Sequence, residues 1–382
     1  MEKIKKKLLV INAFSALRGG GQTYLINLFE EFCKIETNLN IVVLTNCSNK
    51  NKFDRFKNPA LKFIEVGFAS KNVMFRTLWE VFKLPFFLRD IQADAYFSPG
   101  GIMITKMPTG CKSYTVLRNM LPFENRERKR FSFFSYDRFR LFVLKYLFLI
   151  SYKISDGVIF ISNYSRNGVK KFIPDIKEKS VVIYHGINKD FIKTKENNES
   201  SGTIVDGNYY LYVSILDSYK AQKEVIYEWL NIAKNIDDCL LVLAGPKINN
   251  YGEQVEEMLS NVDKKTINYI GAIDYNALPN LYKNARALIF ASSCECCPNI
   301  LLEKLASGRP VICSNKMPMP EFGQDAVVYF DPYKKGSLGR AIQFIEKDGN
   351  INKFSLKSSI RASSFCWTDT ASKTFNYLLP DN

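Results

Sequence analysis

Two carboxylates eight residues apart, Glu295 and Glu303, have the types and spacing to hold a polyhydroxylated ligand. They lie in Ala291-Ser-Ser-Cys-Glu-Cys-Cys-Pro-Asn-Ile-Leu-Leu-Glu-Lys-Leu-Ala-Ser-Gly-Arg-Pro-Val-Ile-Cys-Ser314. Apolar runs at 287–291 and 310–313 read as buried parallel strands. Between them, residues 299–307 predict a short helix, with Pro298 near its first turn and Gly308 just past its end. Glu295 then stands in the loop leaving a strand, and Glu303 inside the helix that follows. The N–H groups of Asn299, Ile300 and Leu301 would open onto the crevice at the carboxyl edge of the sheet, where open α/β sheets bind ligands. A diphosphate suits that position, with a carboxylate on either side to accept bonds from sugar hydroxyls. Two glutamates alone would equally suit a solvated helix face, so the surrounding residues have to decide.

A second candidate is Arg18-Gly-Gly-Gly-Gln-Thr-Tyr24, which follows the first predicted strand and opens the first predicted helix. Gly19, Gly20 and Gly21 would let backbone pass close to a ligand, although a plain tight turn needs the same residues. The run is not G-x-G-x-x-G and no acidic residue follows at the dinucleotide position, which argues against NAD. The single histidine, His185, and the cluster Cys294, Cys296, Cys297 lack a second pair of ligands, so zinc is not expected.

These residues need a frame, and the chain supplies one. Strand-like runs near 8–12, 41–45, 62–66, 95–98, 113–117, 157–161 and 180–184 alternate with helical segments at 22–34, 74–89, 133–153 and 164–173. A polar, aperiodic stretch from Lys193 to Gly202 reads as a linker. Strands resume near 209–214, 239–244, 267–270, 287–291, 310–313 and 327–330. An amphipathic helix is expected over 365–378. The α/β pattern predicts two Rossmann-like domains, 1–192 and 209–364, joined by a linker at 193–208 and closed by residues 365–382. Length agrees, since 382 residues are comfortable for two cores.

With 53 basic and 38 acidic residues the formal charge is +15, which calls for an anionic partner or surface. Nine cysteines without a framework spacing fit reduced thiols in a cytosol. The basic start runs directly into a strand, with no signal-peptide pattern. No apolar run reaches the roughly 18 residues of a spanning helix. Residues 124–153 interleave Arg126, Arg128, Lys129, Arg130, Arg138, Arg140, Lys145 and Lys153 with Phe131, Phe133, Phe134, Tyr136, Phe139 and Phe142. Such a helix suits the headgroup layer of an anionic bilayer. A solvated basic face over a buried stripe is the alternative, and no motif supports nucleic acid.

Taken together, Glu295, Glu303, the Pro-Asn-Ile-Leu-Leu-Glu core, Gly308-Arg-Pro-Val-Ile312, Met319-Pro-Glu321 and Phe330-Asp-Pro332 resemble the retaining GT-B glycosyltransferases, whose mark is E-x7-E. The likeness runs over residues 8 to 379 and is closest to a bacterial polysaccharide subgroup. It implies a GT-B fold, two Rossmann-like domains facing a cleft, with the C-terminal helix crossing back to the first domain. It further implies that Glu303 holds the donor ribose, that Glu295 orients the sugar, and that Gly20 and Gly21 lie by the donor diphosphate. Many relatives carry Gly-Arg where this chain has Ser214-Ile215. Lys220 matches the lysine five residues on, but the arginine is missing, so Lys220 acts with the helix N-terminus alone or Lys223 or another cation compensates. Arg118 and Asn119, where relatives often have a histidine, and Glu124 would serve the acceptor side. Tyr184-His185-Gly186 matches a hinge turn rather than a catalytic histidine.

The resemblance implies a hexosyltransferase that moves a sugar, with retention, from a nucleotide-diphosphate sugar to a glycan or lipid-linked glycan of a bacterial surface polysaccharide. Glu295, Lys220 and Arg118 would be its catalytic side chains. No cofactor is expected, and no metal, since a DxD motif is absent from the site. The location expected is cytoplasmic, peripheral on the inner membrane face. A catalytically silent nucleotide-sugar-binding or scaffold protein is the rival from another class.

Overall fold

The structure is a computed structural model and describes residues 6–17, 19–35, 38–192, 204–233 and 239–380. Arg18 and most of the expected linker, residues 193–203, lie outside the described residues. The chain divides into two compact units, residues 1–186 with 366–382, and residues 187–365.

The first unit holds a sheet of seven strands, β1 (Lys7–Asn12), β2 (Leu39–Thr45), β3 (Leu61–Glu65), β4 (Ala95–Ser98), β5 (Lys112–Leu117), β6 (Gly157–Phe160) and β7 (Ser180–Val182). Their order is β3-β2-β1-β4-β5-β6-β7. The second unit holds six, β8 (Asn208–Val213), β9 (Cys239–Ala244), β10 (Ile267–Tyr269), β11 (Ala287–Phe290), β12 (Val311–Ser314) and β13 (Val328–Phe330), ordered β10-β9-β8-β11-β12-β13. Every pairing is parallel. Central strands such as β11 are buried at every residue, as strands covered by helices on both faces must be.

In each unit the chain winds outward from a central strand and then returns to its other side. The reversal falls between β1 and β4 in the first unit and between β8 and β11 in the second. Such switch points leave the loops beyond two neighbouring strands diverging, and a crevice forms between them.

The helix expected over 74–89 is two helices, Val73–Phe82 and Leu84–Asp90. Pro85 in the first turn of the second explains the break, because its ring cannot continue the preceding helix. The C-terminal helix Trp367–Leu378 returns to the first unit. Phe375 packs on Phe32 with ring centroids 5.5 Å apart, Thr370 donates its hydroxyl to the Tyr184 carbonyl at 2.8 Å, and Tyr377 donates to the Lys179 carbonyl at 2.7 Å.

Candidate functional site

The second unit gathers its candidate residues at the β8/β11 switch point. The loop after β8 turns through the short helix Ser218–Lys220 and reaches Ala221 in the left-handed region before the helix Gln222–Ile232 begins. The loop after β11 is fastened to it. The Ser293 N–H donates to the Tyr219 carbonyl at 2.7 Å, and the Ser293 hydroxyl to the same oxygen at 3.0 Å. This clamp sets the buried Lys220 ammonium against the Glu295 carboxylate as an ion pair. Tyr212 donates its hydroxyl to the Lys220 carbonyl from below, fixing the backbone that carries the ammonium.

Ser214, at the expected Gly-Arg position, is buried and its hydroxyl has no hydrogen-bond partner. Its carbonyl crowds Gly245, where an added Cβ would sit 1.9 Å away. The neighbouring Gln222 donates its amide to the Ile215 carbonyl at 2.7 Å while its own side-chain oxygen is unpaired. Buried polar atoms left open beside a switch point are what a polar ligand would satisfy.

The helix Asn299–Ala306 follows, capped by Pro298 and ended by Gly308 at φ +67°. Its first turn is tighter than expected. Asn299 N–H donates to the Cys297 carbonyl at 3.0 Å and Leu301 N–H to the Pro298 carbonyl at 2.8 Å, so two of the anticipated anion donors are engaged within the chain. Glu303, partly buried one turn on, accepts a hydrogen bond from the Tyr275 hydroxyl at 3.1 Å. Burial pushes the Glu303 carboxyl up to about 7, while the Tyr275 bond and the charge of Lys304 pull it back. Lys304 is wholly buried beside it, and its ammonium has no hydrogen-bond partner. It lies 5.0 Å from the Tyr282 ring centroid and 5.9 Å from that of Tyr212. Burial brings its pKa down to about 7, against the attraction of Glu303.

In the first unit, Gly20 and Gly21 open the helix Gly20–Phe32, with Gly19 at φ +62° before it. What passes close to these glycines is Arg118. Its guanidinium lies where a Cβ on Gly21 would meet it at 3.0 Å, donates to the Gly20 carbonyl at 3.3 Å, and covers the Tyr24 ring at 5.5 Å. Asn119 accepts from the Leu121 N–H at 3.1 Å and so shapes the turn after β5. Glu124 accepts from the Tyr164 hydroxyl. His185 is buried between Tyr24 and Trp367, with ring centroids 5.2 and 5.5 Å away, so it anchors the C-terminal helix. Among the described residues, no three His, Cys, Asp or Glu side chains converge as a metal site.

Tyr275, Ser293 and Lys304 escaped the sequence reading. Tyr275 and Ser293 act through contacts far along the chain, which no local pattern records. Lys304 did leave a signal, because it falls on the same helical face as Leu301 and Leu305 where an apolar residue is expected.

Residues 193–359 match the family described as Glycosyl transferases group 1. Over 207 residues the chain is 27% identical to O-antigen chain mannosyltransferase RfbU of Salmonella typhimurium, covering 53% of this chain and 54% of that one. The chain thus spans about half the length of this curated relative. It is similar in structure to a glycosyltransferase from Rickettsia africae, with a TM-score of 0.71 at 17% identity over 99% of this chain and 100% of the other. It is similar also to HepE of Anabaena in complex with UDP, with a TM-score of 0.70 at 14% identity over 97% and 98%. These two likenesses concern the fold, which is that of the GT-B proteins.

Proposed function

We propose, for a chain whose residues 193–359 belong to the group 1 glycosyl transferases, that it transfers a hexose with retention from a nucleotide-diphosphate sugar to a hydroxyl of a glycan or lipid-linked glycan. The observation that carries this reading is the Lys220–Glu295 pair between the loops after β8 and β11, with Glu303 on the helix that follows the second of these loops. Ionised Glu303 accepts bonds from the two ribose hydroxyls of the donor. Glu295 orients the sugar through its hydroxyls. Lys220 and the start of the 299–306 helix stabilise charge on the departing diphosphate, where it grows in the transition state. The bond from the anomeric carbon to the phosphate oxygen breaks with its electron pair passing to phosphate. The acceptor oxygen bonds to the same face of that carbon, and its proton passes to the leaving phosphate.

Arg118, Asn119 and Glu124, with Gly20 and Gly21, are the acceptor-side and diphosphate-side residues of the first unit in this reading. The acceptor class, a bacterial surface polysaccharide of the O-antigen kind, is supported by the likeness to RfbU. Binding of a nucleoside diphosphate is supported by the fold shared with UDP-bound HepE. No metal or cofactor is part of the proposed reaction, in which the Lys220 ammonium carries the leaving charge. Work on the inner membrane face is proposed from the basic, aromatic segment 124–153.

The test is incubation with a panel of nucleotide sugars and extracted lipid-linked acceptors, followed by nucleotide release and the configuration of the new linkage. Retained configuration supports the reading, and inversion overturns the mechanism. Nucleotide binding by calorimetry with no release for any acceptor would favour a silent nucleotide-sugar-binding protein instead.

A further inference from the structure

The first unit carries two unpartnered apolar stripes. Met74, Leu78, Phe82 and Phe86 recur every four residues along the successive helices Val73–Phe82 and Leu84–Asp90, and are 62%, 41%, 63% and 55% exposed. The opposite side of the first of these helices meets the core through Trp79, whose ring packs on Phe14 at 5.6 Å and on Phe87 at 6.2 Å. The second stripe is the outer side of the helix Tyr136–Ile154. There Phe139, Phe142, Tyr146, Ile150 and Ile154 stand exposed, while Leu141, Phe148 and Tyr152 face inward. That helix is therefore apolar on two sides, with Arg138, Arg140 and Lys145 along the flanks and Lys153 at the end of the outer stripe.

One short segment ties the stripes together. Met103 donates its N–H to the Ser151 hydroxyl at 2.8 Å, and two residues on Thr105 donates its hydroxyl to the Glu80 carbonyl at 2.8 Å. The 136–154 helix and the 73–82 helix thus grip the same strip of chain. Exposed Lys71, Lys83, Arg89 and Lys106 border the first stripe, and Lys129, Arg130 and Arg140 the second.

We propose that these two stripes form one docking face for an anionic lipid bilayer, with the 73–90 helices as its second half. This deepens the membrane part of the reading above and rests on it. Aromatic and aliphatic side chains that project from a helix framed by lysine and arginine match the boundary between acyl chains and anionic headgroups. No described helix is long and apolar enough to cross a membrane, so the face lies on the surface rather than spanning it.

The experiment is co-sedimentation of the full chain with phosphatidylethanolamine–phosphatidylglycerol vesicles at several salt concentrations. It compares wild type, M74E/L78E/F82E and K129E/R140E, whose two residues are exposed. The stripe variant should partition roughly tenfold or more weakly at every salt concentration, because it loses buried apolar area. The charge-reversed variant should lose the salt-sensitive part of binding. All three stripe residues are exposed, so an unchanged melting temperature certifies the fold. Wild-type binding by M74E/L78E/F82E, alongside lost binding by the charge-reversed variant, overturns this inference and leaves the membrane reading standing. No wild-type binding at low salt overturns both. A wild-type dimer that the stripe variant dissociates overturns the inference in favour of an interface between copies. Nucleotide release to a soluble acceptor reports separately on the glycosyl-transfer reading.

Discussion

The Lys220 ammonium is held against the Glu295 carboxylate because Ser293, in the loop of one, is hydrogen-bonded to the Tyr219 carbonyl in the loop of the other. The cation proposed for the leaving group and the carboxylate proposed for the sugar are thus each other's counter-ions before any donor arrives. In the proposed reaction the diphosphate, which offers more charge than one carboxylate, draws Lys220 from this pairing.

Lys220→Met should therefore lower turnover by about a hundredfold while changing donor affinity less than about tenfold. Steady-state kinetics with the donor identified by the panel will show it. A pure rise in KM would contradict the role.

Glu303→Ala removes a charged acceptor from a partly buried site. The loss should be about 2 to 3 kcal/mol of donor affinity, on the order of a hundredfold. Calorimetry with the donor or with its nucleoside diphosphate measures it. Unchanged affinity would take Glu303 out of the site.

The pH dependence follows from Glu303 and Lys304. In the proposed reaction Glu303 accepts donor hydroxyls when ionised, and its carboxyl is raised to about 7, so donor affinity should fall as pH drops through that region. Lys304→Met removes a charge that favours the carboxylate, and the fall should move to higher pH. Stability should respond in a separate direction. Lys304 is lowered from 10.5 to about 7 by burial, so its charged form opposes folding increasingly as pH falls from 10 towards 7. Lys304→Met should then melt above wild type, by a margin that widens over that range. Melting curves at pH 7, 8.5 and 10 check the sign.

Gly245→Ala tests the frame beneath the site. Gly245 has φ +142°, and the new Cβ would fall 1.9 Å from the Ser214 carbonyl oxygen. A loss of about 2 to 4 kcal/mol is expected in chemical denaturation, with the β8 and β9 loops displaced.

The strands were legible because both faces of each central strand are covered, so apolar runs mark them directly; β11 was read at 287–291 and spans Ala287–Phe290. Glu295 and Glu303 were legible through spacing within one loop and helix. The partner of Glu303 was not, since Tyr275 arrives from a turn 28 residues away. The outward side of the 136–154 helix was also hidden. A helix with apolar residues on two sides has no single hydrophobic face, so periodicity cannot tell which side the core covers.

The return of the last helix sets an order of assembly. The second unit begins and ends side by side, for Ile187 donates its N–H to the Phe365 carbonyl at 3.2 Å. All its residues have been synthesised once Phe365 has been made, whereas the first unit still lacks Phe375, Thr370 and Tyr377 against Phe32, Tyr184 and Lys179. During synthesis the half made first is therefore the half whose last contacts become available last.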